Sequence, residues 1–338
     1  MRNTVKKVIQ YVVLLVLGGG LIYLSFQNTQ VSWRELFTVF QSTSIGWVIA
    51  SVIISFFSHF IRAYRWNYLL ENYSYQTDIW TSNAAVFIGY LANYGLPRMG
   101  ELSRCAVVSK YNKIPLDIAL GTVIAERAVD FLLMFILFIL VVLFQYNDLQ
   151  ALLNKYILDP VSDKISLSHL IMLLMGVLGL ILVFHFINKS RRQKKQENRF
   201  SLWSKIFRVI QNLIGPLWHI HKIKKPLAFW TMSIIIWLLY FLSMYFCALS
   251  MSDLKSIHFL NIMVLFLFGT IGVIVTPGGI GAYHFLMTEL LIFYGIQKAP
   301  AVAFPWLVWG TQFVMIVLLG GLSFILLPII HSNYKNNG

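Results

Sequence analysis

Residues 116–145 read LDIALGTVIAERAVDFLLMFILFILVVLFQ, an apolar run long enough to cross a lipid bilayer as one α-helix. The whole chain shares this character: 58% of its 338 residues are hydrophobic and only 12% are charged. Soluble domains carry about 25% charged residues, which help to cover their surfaces. Because this chain lacks them, lipid must cover its apolar side chains. We therefore predict an all-α, polytopic transmembrane helical bundle.

Eight apolar segments are present along the chain. Six are long and apolar enough to span a membrane: about 8–25, 45–66, 116–145, 168–187, 227–250 and 301–328. The other two, 81–113 and 259–297, are interrupted near their middle by Gly and Pro. The sequence thus predicts six full-length spans and two broken segments, all within one integral membrane domain covering residues 1–338.

Basic residues are concentrated in parts of the chain that we expect to be cytoplasmic. The net charge is +14, and residues 189–225 contain 11 of the 27 Lys and Arg residues. Cytoplasmic loops of membrane proteins collect Lys and Arg. We therefore expect the N-terminus and the loop 188–225 to lie in the cytoplasm. This explains the basic composition without nucleic acid as a partner.

The charge pattern also constrains the two broken segments. With the loop ends assigned, segment 81–113 must return to the side from which it started, which predicts a re-entrant hairpin with its tip at 93–101. Segment 259–297 would enter from the opposite face, with its tip at 276–281. Opposed broken helices in a pseudo-inverted arrangement are typical of transport sites. The alternative is that both segments are ordinary short helix pairs joined by turns.

Charged residues in the apolar run 116–145 are candidates for a functional site, because a charge at the bilayer centre costs about 2.5–3.5 kcal/mol. Arg127 can pair with Asp130 three residues later, which leaves Glu126 in need of a cation. The first hairpin offers candidate partners. The six charges of this set are Arg98, Glu101, Arg104, Glu126, Arg127 and Asp130.

Two interpretations of this set remain open. It can be a structural ion-pair network that fixes the hairpin to the helix. It can also be a binding site, in which Arg98 and Arg104 donate hydrogen bonds to a phosphate. Arg62 and Arg65, at the end of segment 45–66, are expected at the cytoplasmic interface near lipid headgroups.

The tip of the second hairpin has a different chemistry. Three glycines, Gly278, Gly279 and Gly281, allow a sharp turn and a close approach of a ligand to the backbone. A helix that restarts near residue 282 would direct free N–H groups toward an anion. Further donors could come from Thr276, Tyr283 and His284. The alternative is a helix break without a ligand. We expect no metal site and no cofactor.

Three motifs together resemble the lysylphosphatidylglycerol synthase transmembrane-region family, a group of flippase-like membrane proteins. They are Asn93-x-x-x-Pro97-Arg98-x-Gly100-Glu101, Glu126-Arg127-x-x-Asp130 and Pro277-Gly278-Gly279-x-Gly281. The resemblance extends from about residue 8 to 328.

The resemblance implies a lipid-handling domain in a bacterial cytoplasmic membrane. Bifunctional members add a soluble aminoacyl-transferase domain after the membrane region, and we expect this chain to lack it. Many members carry an acidic residue soon after the PGG segment, where this chain has His284 and, further on, Glu289. That departure leaves the identity of the lipid open.

Two classes of function follow from these observations. The first is a lipid transporter or flippase that moves or binds a phosphate-bearing lipid, anionic or zwitterionic, through a polar cavity at the membrane midplane. The alternative is a membrane-embedded enzyme or accessory subunit in the synthesis of lipids or lipid-linked glycans. We favour a protein that is not an enzyme. Its partners would be membrane lipids, and possible protein partners are a second copy of the chain or a separate lipid-modifying enzyme.

Overall fold

The computed structural model describes residues 16, 18–95, 99–155 and 223–336, and these contain eleven α-helices and no strand. The helices are α1 (18–29), α2 (Trp33–Gln41), α3 (Ile45–Glu71), α4 (Ile79–Gly95), α5 (Met99–Asn112), α6 (Leu116–Phe144), α7 (Tyr146–Leu153), α8 (Pro226–Leu249), α9 (Phe259–Val275), α10 (Ala282–Phe293) and α11 (Lys298–Asn336). Short 3₁₀ turns occupy Ser252–Leu254 and Pro277–Gly279. The predicted all-α class is confirmed.

Four of these helices are long and apolar enough to cross a membrane: α3, α6, α8 and α11. They correspond to four of the six predicted spans. Of segment 8–25, residues 18–25 belong to α1, and its other residues except 16 lie outside the described part of the chain. Segment 168–187 and the loop 188–222 also lie outside it. Many large apolar side chains of these helices are exposed, as expected of a polytopic protein whose outer surface contacts lipid.

The chain divides into two compact units, residues 1–138 with 213–338 and residues 139–212. All of the site described below belongs to the first unit. The described part of the second unit contains the last residues of α6 and the short helix α7. The expectation of one membrane domain stays a prediction.

Small and polar side chains join α3 to α8 in the first unit. Ser51 donates a hydrogen bond to the Ser243 carbonyl at 2.7 Å, and Ser243 donates one back to the Ser51 carbonyl at 3.0 Å. Serine at helix contacts allows close approach and supplies hydrogen bonds that lipid cannot. This contact holds α8 beside the face of α3 that carries the arginines of the site.

The first broken segment forms a tightly packed helix pair, α4 and α5. A Cβ atom added at Gly89 would lie 2.8 Å from the carbonyl oxygen of Gly100, so the two backbones touch at these glycines. The Asn93 side chain accepts a hydrogen bond from the Gly100 N–H at 2.7 Å. Asn93 thereby satisfies a backbone donor at the start of α5.

The second broken segment forms a comparable pair, α9 and α10, joined by the turn Pro277–Gly279. Here a Cβ atom at Gly272 would lie 2.7 Å from the Tyr283 Cα atom, so Gly272 permits the two helices to touch. Helix α10 begins at Ala282, as predicted.

The arms of both pairs are short. Helices α4 and α9 have 17 residues each, α5 has 14 and α10 has 12, so the arms measure about 18–26 Å at 1.5 Å per residue. A hydrocarbon core is about 30 Å thick. Each arm alone is therefore shorter than the hydrocarbon core of a bilayer.

Candidate functional site

Glu126 lies at the centre of a buried charged cluster. Arg104 of α5 binds its carboxylate with both terminal nitrogens, at 3.1 and 2.8 Å. Two arginines of α3 also contact it, Arg62 through Nε at 3.1 Å and Arg65 through Nη2 at 3.5 Å. The Glu126 side chain is fully buried. One carboxylate thus connects three helices.

Asp130, one turn further along α6, binds the same two arginines of α3. Arg65 donates to its carboxylate at 3.1 Å, and Arg62 donates to its other oxygen. Each arginine has one further partner, since Arg62 donates to the Tyr90 hydroxyl and Arg65 donates to the Ser233 hydroxyl at 2.8 Å. Because buried charges need such partners, these contacts hold the arginines in place.

Aromatic rings cover the buried arginines. The Arg104 guanidinium carbon lies 3.8 Å from the centre of the Trp66 ring, within the range of a cation–π interaction. Trp66 is fixed by a hydrogen bond from its indole N–H to the Thr122 hydroxyl at 2.9 Å. The ring of Phe229 lies 5.5 Å from the Arg65 guanidinium.

A second, more exposed ion pair lies beside the buried cluster. Arg127 contacts Glu101 of α5 at 3.4 Å and Asp130 at 3.7 Å. Its side chain is 42% exposed and that of Glu101 is 32% exposed. Both contacts are long for charge-assisted hydrogen bonds, which are usually about 2.7–2.9 Å. Arg127 is therefore the arginine of the cluster most accessible to a ligand.

The described charges of the cluster do not cancel. Four arginines face three carboxylates, which leaves one net positive charge when all are ionised. The arginines are Arg62, Arg65, Arg104 and Arg127, and the carboxylates are Glu101, Glu126 and Asp130. An excess positive charge in a low-dielectric surrounding attracts an anion strongly.

The turn of the second hairpin meets the end of α4. Gly278 has a φ of 61°, and a Cβ atom there would lie 2.9 Å from the Tyr94 ring, so glycine meets both a conformational and a spatial need. The Trp309 indole N–H donates to the Gly278 carbonyl at 2.7 Å. The two hairpins therefore touch at this turn.

One cavity of about 720 Å³ connects the charged cluster with this turn. Its charged wall consists of Arg62, Glu101, Arg127 and Asp130. Its neutral wall, built by other helices, includes Trp237, Thr270, Thr276, Tyr283 and Gln312. The volume is within the range of about 300–1,000 Å³ that is usual for small-molecule pockets.

The cavity brings together about half of the residues that the sequence singled out. Those that line it are Arg62, Glu101, Arg127, Asp130, Thr276, Gly278 and Tyr283. The cavity lining does not include Arg65, Arg104 or Glu126. Arg65 and Glu126 contact the lining residues Asp130 and Arg62, and Arg104 contacts Glu126. Arg98 lies outside the described residues.

The remaining predicted residues have packing roles in the structure. Gly281, with a φ of 87°, lies against the Gly18 backbone of α1, and Gly279 packs on Val273. His284 is buried beside the ring of Trp306 at 4.1 Å, and neither of its ring nitrogens has a hydrogen-bond partner among the described residues. These three residues do not line the cavity.

The structure corrects the expected position of Arg62 and Arg65. We expected both at the headgroup interface, but they are only 4% and 0% exposed. The reason is that Glu126 and Asp130 face them from α6 and offer buried partners. Their contribution is therefore to the charged cluster.

Several cavity residues were missed by sequence reasoning. Tyr90 and Tyr240 flank Arg62, and His59 lies 4.7 Å from the Tyr90 ring. Trp237 was missed as well. Aromatic residues in a membrane protein are usually assigned to the interface belts, so their type alone gave no signal. For His59 the available signal was its position one helical turn before Arg62, and for Trp237 and Tyr240 it was their position one and two turns after Ser233. Tyr90 had no such signal.

Comparison with known protein families supports the identification. A family model described as the lysylphosphatidylglycerol synthase TM region matches residues 9–320. The chain belongs to this family. The match includes the whole charged cluster and the turn of the second hairpin, so the resemblance carried by the three motifs is confirmed. The chain is accordingly a multi-pass membrane protein related to lipid modification or transport. No curated protein and no solved structure matches it.

Proposed function

We propose that this protein moves a phosphate-bearing amphipathic lipid between the leaflets of a membrane. The observation that carries the proposal is the cavity of about 720 Å³, which joins an arginine-rich wall to the turn of a second hairpin. Membership of the lysylphosphatidylglycerol synthase family supports a lipid as the cargo.

Arg62 and Arg127 would bind the phosphate. Both line the cavity, and a guanidinium binds two phosphate oxygens with two parallel hydrogen bonds. Arg127 loses little interaction energy when it binds a phosphate, because its two ion pairs are long at 3.4 and 3.7 Å. Glu101 and Asp130 would then regain Arg127 when the phosphate leaves, which provides a cycle of pair exchange.

The acyl chains need an opening toward lipid. Phe131 of α6 and Ile274 of α9 line the cavity although they are 65% and 66% exposed. An apolar, exposed edge of this kind allows acyl chains to remain in the bilayer while the headgroup enters. We propose that lipid reaches the cavity between these two helices.

The proposal includes an arrangement in the membrane. Both hairpins would be re-entrant and would enter from opposite faces, so that their contact at Tyr94 and Gly278 lies near the midplane. The N-terminus and the loop 188–225 would be cytoplasmic, and the membrane would be a bacterial inner membrane.

The test is lipid movement in liposomes containing the purified full-length chain. A fluorescent phosphatidylglycerol is bleached from outside, and the rate at which inner-leaflet lipid becomes accessible is measured. Arg127→Gln is expected to slow this rate at least about tenfold, the effect of losing one charged hydrogen-bond donor. The matched control is Arg34→Gln, since Arg34 is an exposed arginine of α2 outside the cavity.

Equal rates for the wild type, Arg127→Gln and protein-free liposomes would overturn the proposal. That outcome would favour the alternative of an accessory subunit or enzyme in lipid synthesis. A slow Arg127→Gln variant that keeps the wild-type unfolding midpoint supports transport, because the loss would then not reflect misfolding.

A further inference from the structure

The walls of the cavity differ in charge, and this difference bears on the headgroup that fits. We infer that the cavity selects lipids whose headgroup is a phosphodiester with uncharged hydroxyl groups, and that it disfavours aminoacylated headgroups. The inference rests on the proposed function, of which it names the substrate class.

The charged wall favours a ligand with one negative charge. The described cluster has a net charge of +1, and each of its carboxylates already contacts an arginine. A phosphodiester supplies one negative charge and neutralises this excess. A headgroup with a net positive charge would add to this excess, even though Glu101 becomes available when Arg127 turns to the phosphate.

The neutral wall offers hydrogen bonds without charge. The Tyr283 hydroxyl and the Trp237 indole N–H have no hydrogen-bond partner among the described residues, and both atoms are buried. Tyr283 is only 4% exposed, and both residues line the cavity. Unpaired buried donors are costly. A ligand that brings acceptor oxygens would remove that cost once the two side chains turn these buried atoms toward the cavity.

His59 provides a third unsatisfied group between the two walls. It is 6% exposed and lines the cavity, and its Nδ1 atom has no partner among the described residues. Its ring lies 4.7 Å from that of Tyr90 and 6.0 Å from that of Tyr240, both of which flank Arg62. A group bonded to His59 would therefore be next to a phosphate held by Arg62.

Taken together, these groups match a headgroup that has a phosphate at one end and hydroxyls beyond it. Hydroxyl groups can accept from Trp237 and both accept from and donate to Tyr283. An ammonium group has no acceptor for the Trp237 N–H, although it can donate to the Tyr283 hydroxyl. At Trp237 the neutral wall therefore favours a hydroxyl group over an ammonium group.

The experiment compares the binding of four short-chain probes to the protein in detergent micelles by isothermal titration calorimetry, a readout that does not depend on Trp237. The probes are dioctanoyl phosphatidylglycerol, dioctanoyl phosphatidylmethanol, dioctanoyl lysylphosphatidylglycerol and water-soluble glycerol phosphate. We expect dioctanoyl phosphatidylglycerol to bind at least about tenfold more tightly than each of the others. It alone combines a phosphate for the charged wall, free hydroxyls for the neutral wall and two acyl chains, without a positive charge.

Two variants locate the effect in the neutral wall. We compare the dissociation constants of phosphatidylmethanol and phosphatidylglycerol in Tyr283→Phe and, separately, in Trp237→Phe. In each variant the ratio of the two constants should fall toward one, while the dissociation constant of phosphatidylmethanol stays unchanged. Tyr283→Phe removes only the hydroxyl, so folding should be preserved. Trp237→Phe also removes ring volume that packs on Phe266, so its unfolding midpoint is measured alongside. Tyr245→Phe is the control, since Tyr245 also lies on α8 but does not line the cavity.

The inference is overturned if lysylphosphatidylglycerol binds as tightly as phosphatidylglycerol, or if neither variant changes the preference. Equal binding of glycerol phosphate overturns the assignment of a lipid ligand. These outcomes are distinct from failure of the proposed function: selective binding without movement in liposomes would reject transport alone. Movement of the three lipid probes at equal rates in liposomes would reject the headgroup inference alone.

Discussion

Glu126 is the residue on which the charged cluster depends, because its carboxylate binds arginines from both α3 and α5. Its side chain is fully buried, so water cannot replace a lost partner. Three arginines would lose a contact if Glu126 were removed: Arg62, Arg65 and Arg104. Without Glu126, Arg62 and Arg65 would keep Asp130, and Arg104 would have no carboxylate among these contacts.

Glu126→Gln is therefore expected to reduce the free energy of unfolding by about 3–5 kcal/mol, the usual cost of breaking a buried ion pair from one side. The measurement is unfolding in mixed detergent micelles. Glu101→Gln serves as the control, because its partly exposed pair with Arg127 should contribute at most about 1 kcal/mol. Similar losses in both variants would contradict a buried cluster centred on Glu126.

Part of this cluster was predictable from the sequence. Glu126 lacked a partner within its own helix, and the first hairpin offered Arg104 as a candidate, which is the pair observed. Arg62 and Arg65 were misjudged because they occur near the end of an apolar segment, where arginines usually extend to the interface. Only the packing of α3 against α6 brings them to Glu126 and Asp130.

At the scale of the elements, the helix pair α4–α5 positions Arg104. The pair touches at Gly89 and Gly100, where the helix backbones are too close for any side chain. Arg104 lies one turn beyond Gly100, and its Cβ atom would be 3.3 Å from a Cβ at residue 89. The spacing of the two helices therefore determines where the Arg104 guanidinium lies.

Gly89→Ala is expected to push α5 away from α4 and weaken the Arg104–Glu126 pair. The added Cβ would lie 2.8 Å from the Gly100 carbonyl oxygen, which is backbone and cannot rotate aside. We expect a loss of about 1–3 kcal/mol in the free energy of unfolding, as for other overpacked sites. The matched control is Gly121→Ala, where no atom lies within 4 Å of the new Cβ.

An unchanged or higher stability of Gly89→Ala relative to Gly121→Ala would mean that the two helices do not touch at this point. The comparison is well matched because both glycines are within helices, and alanine favours a helix at either position.

The sequence predicted the helix breaks but not their packing. Glycine and proline at 93–101 and 276–281 marked both turns, and α10 begins at Ala282 as expected. Gly89 and Gly272 were not recognised as contact points, because a glycine within an apolar helix looks the same whether it faces lipid or a neighbouring backbone. That distinction depends on tertiary packing.

At the scale of the whole molecule, the first unit contains a cavity with one charged wall, and many large apolar side chains are exposed on its outer surface. The charged wall and the hairpin turn were expected to face one another from the sequence. The aromatic part of the cavity, with Trp237, Tyr240 and Tyr283, was not expected, since Trp and Tyr are equally common at membrane interfaces. Among the described helices, four of the six predicted spans are long and apolar enough to cross a membrane.

The central claim is that a lipid headgroup enters this cavity, and photo-crosslinking tests it most directly. A phosphatidylglycerol with a photoreactive headgroup is incorporated into liposomes with the protein, and the labelled peptides are identified by mass spectrometry. We predict labels on cavity residues such as Tyr90, Tyr240 and Tyr283, which excess unlabelled phosphatidylglycerol competes away. Labels restricted to outward-facing residues such as Phe324 and Ile325, with no competition, would contradict the account.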